Sequence, residues 1–457
     1  MAKKMIQNPT RLQALIEEYS RLRSLQGFTP QSRGQRLNSL FAELLQCWGI
    51  DAKSNIRGSG EIDVSFELNN GRCFIVEAKW EDSPINTGPI AKLQKRLRQR
   101  LGGTVGLFLS MSGFSSEAER DLKEGEQLMV LLLAREHLEA MISGFIPPQE
   151  LINRLITKAS FYGESFVSLQ SFFEITPPNE LGVLIGSPDE TVREDLVVES
   201  IPEFQVSTIA SDLPFGQSGV AEFSENKVLL TLKQGIYSLD YDRQALDIWF
   251  GMPDCSRNVL VTPNGTVFMV RKAGVGCLRN GEFSIVGGGF CGNVCLFHGR
   301  DEGVWVFSNG YPDGIRKSSP QVTQLGESLG DEERYEIDYP PACGVNAALI
   351  SDGRFFVIGS CGVAVIEPGV SKQVLSLDLT NPMGLARLPG DRFIIASGQV
   401  KLSELDISKR SITPIAKLKL QGTVSELAES ADGGGYLFSH YLKTDKESFG
   451  ILIHWQY

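Results

Sequence analysis

Gly60-Glu61-Ile62-Asp63-Val64 and, after a short gap, Phe74-Ile75-Val76-Glu77-Ala78-Lys79-Trp80 decide how the first part of this chain folds. Their apolar residues predict strands over Ile62–Leu68 and Cys73–Lys79, with Asn69-Asn70-Gly71 as the hairpin turn between them. Successive side chains of a strand point to opposite faces, so Glu77 and Lys79 share one side while Ala78 points away. The short turn brings Asp63 back to the same end. Two carboxylates and one ammonium then converge on a volume that suits a hydrated metal ion. The plainer reading is an exposed hairpin carrying a Glu77–Lys79 salt bridge, because Glu-x-Lys alone is a common short pattern.

The flanking sequence favours the metal. Upstream, Pro30-Gln31-Ser32-Arg33-Gly34 precedes Gln35–Trp48, where Leu37, Leu40, Phe41, Leu44 and Leu45 recur at helical spacing. Downstream come Trp80-Glu81-Asp82-Ser83-Pro84, a basic helix, and the apolar run Thr104–Phe114. This order resembles the PD-(D/E)XK nucleases, in particular the restriction endonuclease-like branch with a Glu-Ala-Lys-Trp signature, over roughly residues 28–145. The resemblance implies an α/β domain, a mixed sheet flanked by helices, and metal-dependent hydrolysis of DNA phosphodiesters. It makes Asp63 and Glu77 the metal ligands and Lys79 the catalytic lysine.

The chemistry suits these residues. Mg²⁺ (or Mn²⁺) takes one or two carboxylates and completes its shell with water and phosphate oxygens, so Asp63, Glu77 and the Ala78 backbone carbonyl would supply the protein ligands. Bound metal activates water, and Lys79 would orient that water and offset charge on the phosphate. Such nucleases often carry a further acid on the first helix. Here the position five after Arg33 is Asn38, and the nearest acid, Glu43, is the candidate for an additional ligand. Glu61 is an auxiliary ligand or simply solvated.

The next functional candidate is a helix predicted over Ile90–Leu101. Leu93, Leu97 and Leu101 form a stripe for packing on the sheet. Lys92, Lys95, Arg96, Arg98 and Arg100, with Gln94, occupy most of the remaining surface and have no acid among them, a pattern suited to DNA phosphates. A solvated amphipathic helix is the alternative. The N-terminal helix Pro9–Gln26 has Leu12, Leu15, Ile16, Tyr19 and Leu22 at core spacing; it caps this domain or forms a dimer contact.

A length of 457 residues suggests two or three domains. Neither a secretory apolar region near the start nor a membrane-length apolar run is visible, so the expectation is a cytoplasmic protein with no membrane contact. Eight cysteines and four histidines are scattered without zinc-ligand spacing. The net charge of −11 is unevenly spread. Residues 1–178 hold about 21 Lys and Arg against about 20 Asp and Glu; of totals of 44 and 55, this leaves about 23 against about 35 for the rest.

Beyond residue 205 the helical pattern gives way to short apolar strands separated by turn residues, as in Val259–Val270, Ala347–Val357 and Gly384–Ala396. The period is roughly 40 residues, the sequence form of a β-propeller blade. About 250 residues divided by this period gives six blades, with seven or a β-sandwich pair as alternatives. The repeats resemble loose NHL or gluconolactonase-like propellers. Phe204–Ile209 is expected to pair with Gly450–Tyr457 and close the ring. Asp352, Asp391 and Asp432 read as turn residues, and Gly287–Gly292 as a blade connection.

The expected organisation is a nuclease-like domain over 1–145, a helical linker over 146–204 and a β-propeller over 205–457. The expected activity, from the resemblance, is a Mg²⁺-dependent DNA endonuclease of restriction or antiviral defence. Its propeller would meet an unidentified protein or small-molecule ligand. A DNA-gripping module that does not cut, or an RNA or tRNA nuclease, would use the same residues. Double-strand cutting by one site per chain would call for a homodimer.

Overall fold

A computed structural model describes residues 6–58, 60–124, 128–173, 183–184, 197–214, 219–224, 226–232, 235–243, 245–251, 255–299, 303–310, 319–337, 344–359, 362–366, 382–397, 401–418, 424–430, 433–444 and 447–457. Its N-terminal elements are α1 (Pro9–Arg23), α2 (Pro30–Cys47), β1 (Ala52–Gly58), β2 (Gly60–Glu67), β3 (Cys73–Lys79), α3 (Thr87–Leu97), β4 (Val105–Ser110), α4 (Ser116–Glu124), β5 (Val130–Ala134), α5 (Arg135–Ile142) and α6 (Pro148–Tyr162). The five strands form one sheet in sequence order. β1, β2 and β3 run antiparallel, while β4 and β5 continue parallel to β3. The parallel steps need crossovers, which α3 and α4 supply. This is the mixed sheet flanked by helices that the resemblance implies.

Strand alternation divides the sheet between two cores. Val64, Phe66, Phe74, Val76, Leu107 and Leu109 pack towards Leu37, Leu40, Phe41 and Leu44 of α2. Ile75, Phe108 and Leu132 pack on the other face with Ile90, Leu93 and Leu97 of α3. Glu77, two residues after Ile75, therefore lies on the α3 face. The turn forms as expected: Gly71 adopts φ +76°, a left-handed conformation that glycine reaches without a Cβ clash, and its N–H donates to Leu68 O at 2.9 Å.

α3 departs from the expected Ile90–Leu101. Asn86 caps its start by accepting the Gly88 N–H, and the helix ends at Leu97. The following N–H groups of Gln99 and Arg100 fold back onto Arg96 O and Leu97 O in tight turns. Leu101 is consequently 88% exposed, and the packing stripe is Ile90, Leu93 and Leu97.

The C-terminal region is a six-bladed β-propeller. Three strands precede the first complete blade: β6 (Val183–Leu184), β7 (Val197–Ser200) and β8 (Gln205–Pro214). Blade 1 holds β9 (Val220–Ser224), β10 (Lys227–Leu232), β11 (Gly235–Asp240) and β12 (Ala245–Phe250), with β6 on its edge. Blade 2 holds β13 (Cys255–Val261), β14 (Val267–Arg271), β15 (Gly274–Arg279) and β16 (Glu282–Gly287); blade 3 holds β17 (Val294–His298), β18 (Val304–Ser308), β19 (Gln321–Gln324) and β20 (Glu333–Glu336). Blade 4 shows β21 (Gly344–Leu349), β22 (Phe355–Gly359) and β23 (Gly362–Ile366) among the described residues. Blade 5 holds β24 (Pro382–Leu388), β25 (Arg392–Ser397), β26 (Lys401–Asp406) and β27 (Ser411–Leu418), with β7 on its edge. Blade 6 holds β28 (Val424–Glu429), β29 (Gly435–Thr444) and β30 (Glu447–Gln456).

β8 completes blade 6 by pairing with β30, from Gln456↔Gln205 to Phe449↔Pro214. The strand just before blade 1 thus locks onto the last strand of the chain, as the sequence predicts, and removes an open edge. Asp352 behaves as turn chemistry requires, accepting the Arg354 N–H at 3.0 Å; Asp391 sits in a turn at φ +56°, but its carboxylate reaches the neighbouring blade, accepting the Ser351 N–H at 2.8 Å. Asp432 lies outside the described residues.

One hydrophobic core runs through both parts of the molecule, from Leu12, Phe41 and Phe145 to Phe173, Phe250, Met269 and Phe283. Phe145 meets Phe283 with ring centroids 5.5 Å apart, and Phe173 meets Phe250 at 5.2 Å. The approach is close enough to demand two glycines. A Cβ on Gly274 would lie 2.7 Å from the Phe145 backbone N, and one on Gly288 would lie 2.3 Å from Ser143 Cα. Beside them Arg271, 1% exposed, donates to Phe145 O at 2.8 Å and to Glu150 at 2.6 Å, while Lys272 reaches the other Glu150 oxygen at 3.0 Å. Arg23 of α1 adds an ion pair to Asp331 at 2.7 Å.

Candidate active site

The site lies where β2 and β3 part. Their paired register ends at Val64↔Val76. Beyond that pair the Asp63 side chain takes over from the ladder, and its Oδ2 accepts the Ala78 N–H at 2.9 Å. Asp63 is thereby fixed against the strand that carries Glu77 and Lys79. Burial raises its carboxyl above the ordinary range; the Ala78 hydrogen bond opposes this, and the nearby Glu77 charge adds to it.

Glu77 and Lys79 face the same side, with Glu77 Oε1 3.1 Å from Lys79 Nζ. Burial alone would lower the Lys79 ammonium. The Glu77 hydrogen bond and the charges of Glu77, Asp63 and Glu81 outweigh it and hold Lys79 above its usual value. The second Glu77 oxygen, Oε2, accepts from Arg96 Nη1 at 2.6 Å. Glu77 is thus a well-enclosed carboxylate, its side chain 14% exposed, gripped by two cations.

This changes the reading of the basic helix. Arg96, expected to face DNA, turns towards Glu77. Lys92, Lys95 and Arg98 are exposed, and Gln94 and Arg100 are half-buried. Because the helix ends at Leu97, Arg98 and Arg100 belong to the turn after it rather than to a continuous helical face.

Glu43 is a correction. Its Oε1 accepts from Arg36 Nη1 at 2.7 Å, and its Oε2 accepts from Arg11 Nη2. Arg36 also clasps Glu18 through Nε and Nη2 at 2.5 and 2.7 Å. Glu43 is therefore spent tying α1 to α2, not turned to Asp63 and Glu77. Glu61 is exposed. Asn38, the alternative helix position, is buried, with its Nδ2 3.4 Å from Asn55 Oδ1.

The donor set still fits a hard divalent cation: two carboxylates from adjoining strands and the Ala78 carbonyl between them, all oxygen. Among the described residues, no group of three or more His, Cys, Asp or Glu could hold a metal ion, so the acidic ligands stop at two. That number is the usual one for Mg²⁺, which retains water and takes substrate phosphate.

Two contacts of the surroundings escaped the sequence reading. Arg33, 8% exposed, stacks over the Trp80 ring at 4.7 Å, and Tyr19 meets the same ring at 6.1 Å. The tryptophan that ends the Glu-Ala-Lys-Trp segment therefore anchors β3 to both N-terminal helices. Across the loop, Ser112 Oγ donates to Ser83 O at 2.7 Å and braces the segment following Trp80.

Comparison with known proteins places the domain. Residues 30–142 match the Mrr_cat family, described as Restriction endonuclease. No curated protein matches the chain. Similar solved structures include a gluconolactonase from Xanthomonas campestris (13% identity, TM-score 0.43, covering 61% of this chain and 99% of that one). A virginiamycin B lyase from Staphylococcus aureus is 12% identical with a TM-score of 0.38, covering 56% of this chain and 100% of that one. No helix among the described residues is long and apolar enough to cross a membrane.

Proposed function

We propose, from the restriction-endonuclease match over residues 30–142, that this protein is a Mg²⁺- or Mn²⁺-dependent DNA endonuclease of restriction or antiviral defence. The observation that carries this reading is the meeting of Asp63, Glu77 and Lys79 at the diverging ends of β2 and β3. A divalent cation bound there supplies Lewis-acid charge to the phosphate and its water. Asp63, held by the Ala78 N–H, keeps its other oxygen for that cation. Glu77 offers the second carboxylate. Lys79, fully protonated, orients the attacking water and meets the negative charge that develops on phosphorus, a preorganised role. Lys92, Lys95 and Arg98 contact the DNA backbone nearby, which sets position rather than sequence. The propeller acts as the sensor or partner-binding module, and two chains acting as a symmetric pair would cut both strands.

Supercoiled plasmid and RNA, each incubated with the protein and either Mg²⁺ or a chelator, test the reading. Plasmid nicking or linearisation in Mg²⁺ alone is expected. Binding without cleavage would leave a DNA-gripping module, cleavage of RNA only would leave a ribonuclease, and inertness to both would end the proposal.

Arg96 gives a separate prediction. Its guanidinium occupies an oxygen that the cation needs. Arg96→Ala should therefore bind Mn²⁺ more tightly, by roughly three- to fivefold, the worth of a half-exposed ion pair. Isothermal titration without DNA measures this directly, and unchanged or weaker binding would mean that Arg96 merely positions Glu77.

A further inference from the structure

The propeller encloses a cavity of about 1060 Å³. Each of the six inner strands, or the residue just after it, contributes to the wall: Glu222, Thr262, His298, Leu349, Arg387 and Glu429 all line it. The volume is that of a site for a drug-sized molecule, and the mixture of apolar wall and a few polar groups is the usual composition of one.

The polar groups are not equivalent. Among the described lining residues, Arg387 alone carries a fixed positive charge. Its main-chain N–H donates to Glu429 Oε1 at 2.9 Å, while among the described residues its guanidinium pairs with the Asp391 carboxylate at 3.6 Å. Asp391 is already engaged by the Ser351 N–H at 2.8 Å and by the Ser351 hydroxyl. The planar five-donor fork, its side chain 37% exposed, therefore has donors to spare beyond this one long ion pair. Glu429 is open to water, yet crowding by protein raises its carboxyl above the ordinary range, the Arg387 N–H and charge opposing. Both hold together for a group facing water inside a cavity. Burial, with the Arg387 charge, lowers His298, which leaves a neutral imidazole beside the guanidinium. Glu222 accepts from Ser430 Oγ at 3.2 Å.

We infer that this cavity binds a small organic anion, with its carboxylate or phosphate on the Arg387 guanidinium and its hydroxyl or amine groups towards Glu429 and Glu222. Guanidinium pairs with either oxyanion through two parallel hydrogen bonds. The acidic balance of the propeller region disfavours long polyanions and leaves a compact ligand as the match. Only the purpose of this binding rests on the sensing role proposed above; the binding itself stands apart from cleavage.

Calorimetric titration of the full chain with citrate and with pyrophosphate, in the absence of metal, provides the test. At least one probe should bind, and whichever binds identifies the head group. Arg387→Gln should weaken that probe about tenfold or more, the worth of a hydrogen bond to a charged group. Arg387→Lys, retaining charge without the fork, should fall between the two. Lys79→Ala should bind as the parent does. Binding of neither probe, full affinity in Arg387→Gln, or loss in Lys79→Ala would overturn the inference. If these titrations succeed while plasmid stays intact in Mg²⁺, the nuclease reading fails alone.

Discussion

Lys79→Ala should lose about 10²- to 10⁴-fold in the rate of plasmid cleavage while retaining its affinity for DNA. Lys79 sits at the end of β3, where its side chain is 37% exposed and holds Glu77 Oε1 at 3.1 Å. It fills no core, so truncation leaves the sheet intact, and Arg96 still holds the other Glu77 oxygen. In the proposed mechanism the lost quantity is the ammonium that meets charge developing in the transition state. In the proposed reading, ground-state phosphate affinity is spread over Lys92, Lys95 and Arg98, which the substitution leaves in place. Single-turnover cleavage and a gel-shift titration separate the two effects. A variant that cuts within tenfold of the parent rate would remove Lys79 from the chemistry. A loss of binding equal to the loss of rate would make it a phosphate anchor instead.

Arg271→Ala is expected to cost about 3 kcal/mol of stability, at the low end for breaking a buried ion pair. The arginine is 1% exposed and satisfies both Phe145 O and Glu150 Oε1, so its removal strands a buried carbonyl and takes one cation from a carboxylate. The low end applies because Glu150 keeps Lys272 at 3.0 Å and Arg154 at 3.0 Å. Acid should act on the same contact. Burial pushes the Glu150 carboxyl up, but Arg271, Lys272 and Arg154 together bring it below its ordinary value of 4.5. A carboxyl depressed by folding contributes stability above its unfolded pKa and loses it as pH falls through the folded one. The parent should therefore weaken below about pH 4.5, and the acid-dependent part should shrink in Arg271→Ala. Urea midpoints measured at pH 7 and pH 4 test both statements. A midpoint unchanged by the substitution at neutral pH would show that the arginine adds nothing net to this junction.

The strands bearing the catalytic candidates were legible because alternation and a tight turn are local signals. β1 was not. Ala52-Lys53-Ser54-Asn55-Ile56-Arg57 lacks an apolar rhythm and is held as a strand by its pairing with β2. Glu43 was misjudged for a related reason. Its partner Arg11 comes from a different helix, and no spacing within α2 reports it. The basic stripe revealed its composition but not its direction, since whether Arg96 faces solvent or Glu77 depends on how α3 lies across the sheet. In the propeller, strand repeats and ring closure could be read directly. The edge positions of β6 and β7 could not, because such short segments become strands only when a neighbouring blade offers an unpaired edge. The composition change suggested separable domains. Phe145, Phe173, Phe250 and Phe283 are far apart in sequence, and only the fold unites them.

Gly274 and Gly288 make this union a keyed socket rather than a tether. Transplanting the catalytic half onto a different ring would fail wherever the recipient carries even a methyl group at those two places. Conversely, a single bulky replacement there would force the halves apart and open the hydrophobic core they share. The two parts of this protein are therefore shaped to each other at this contact, and a partner for either must reproduce it.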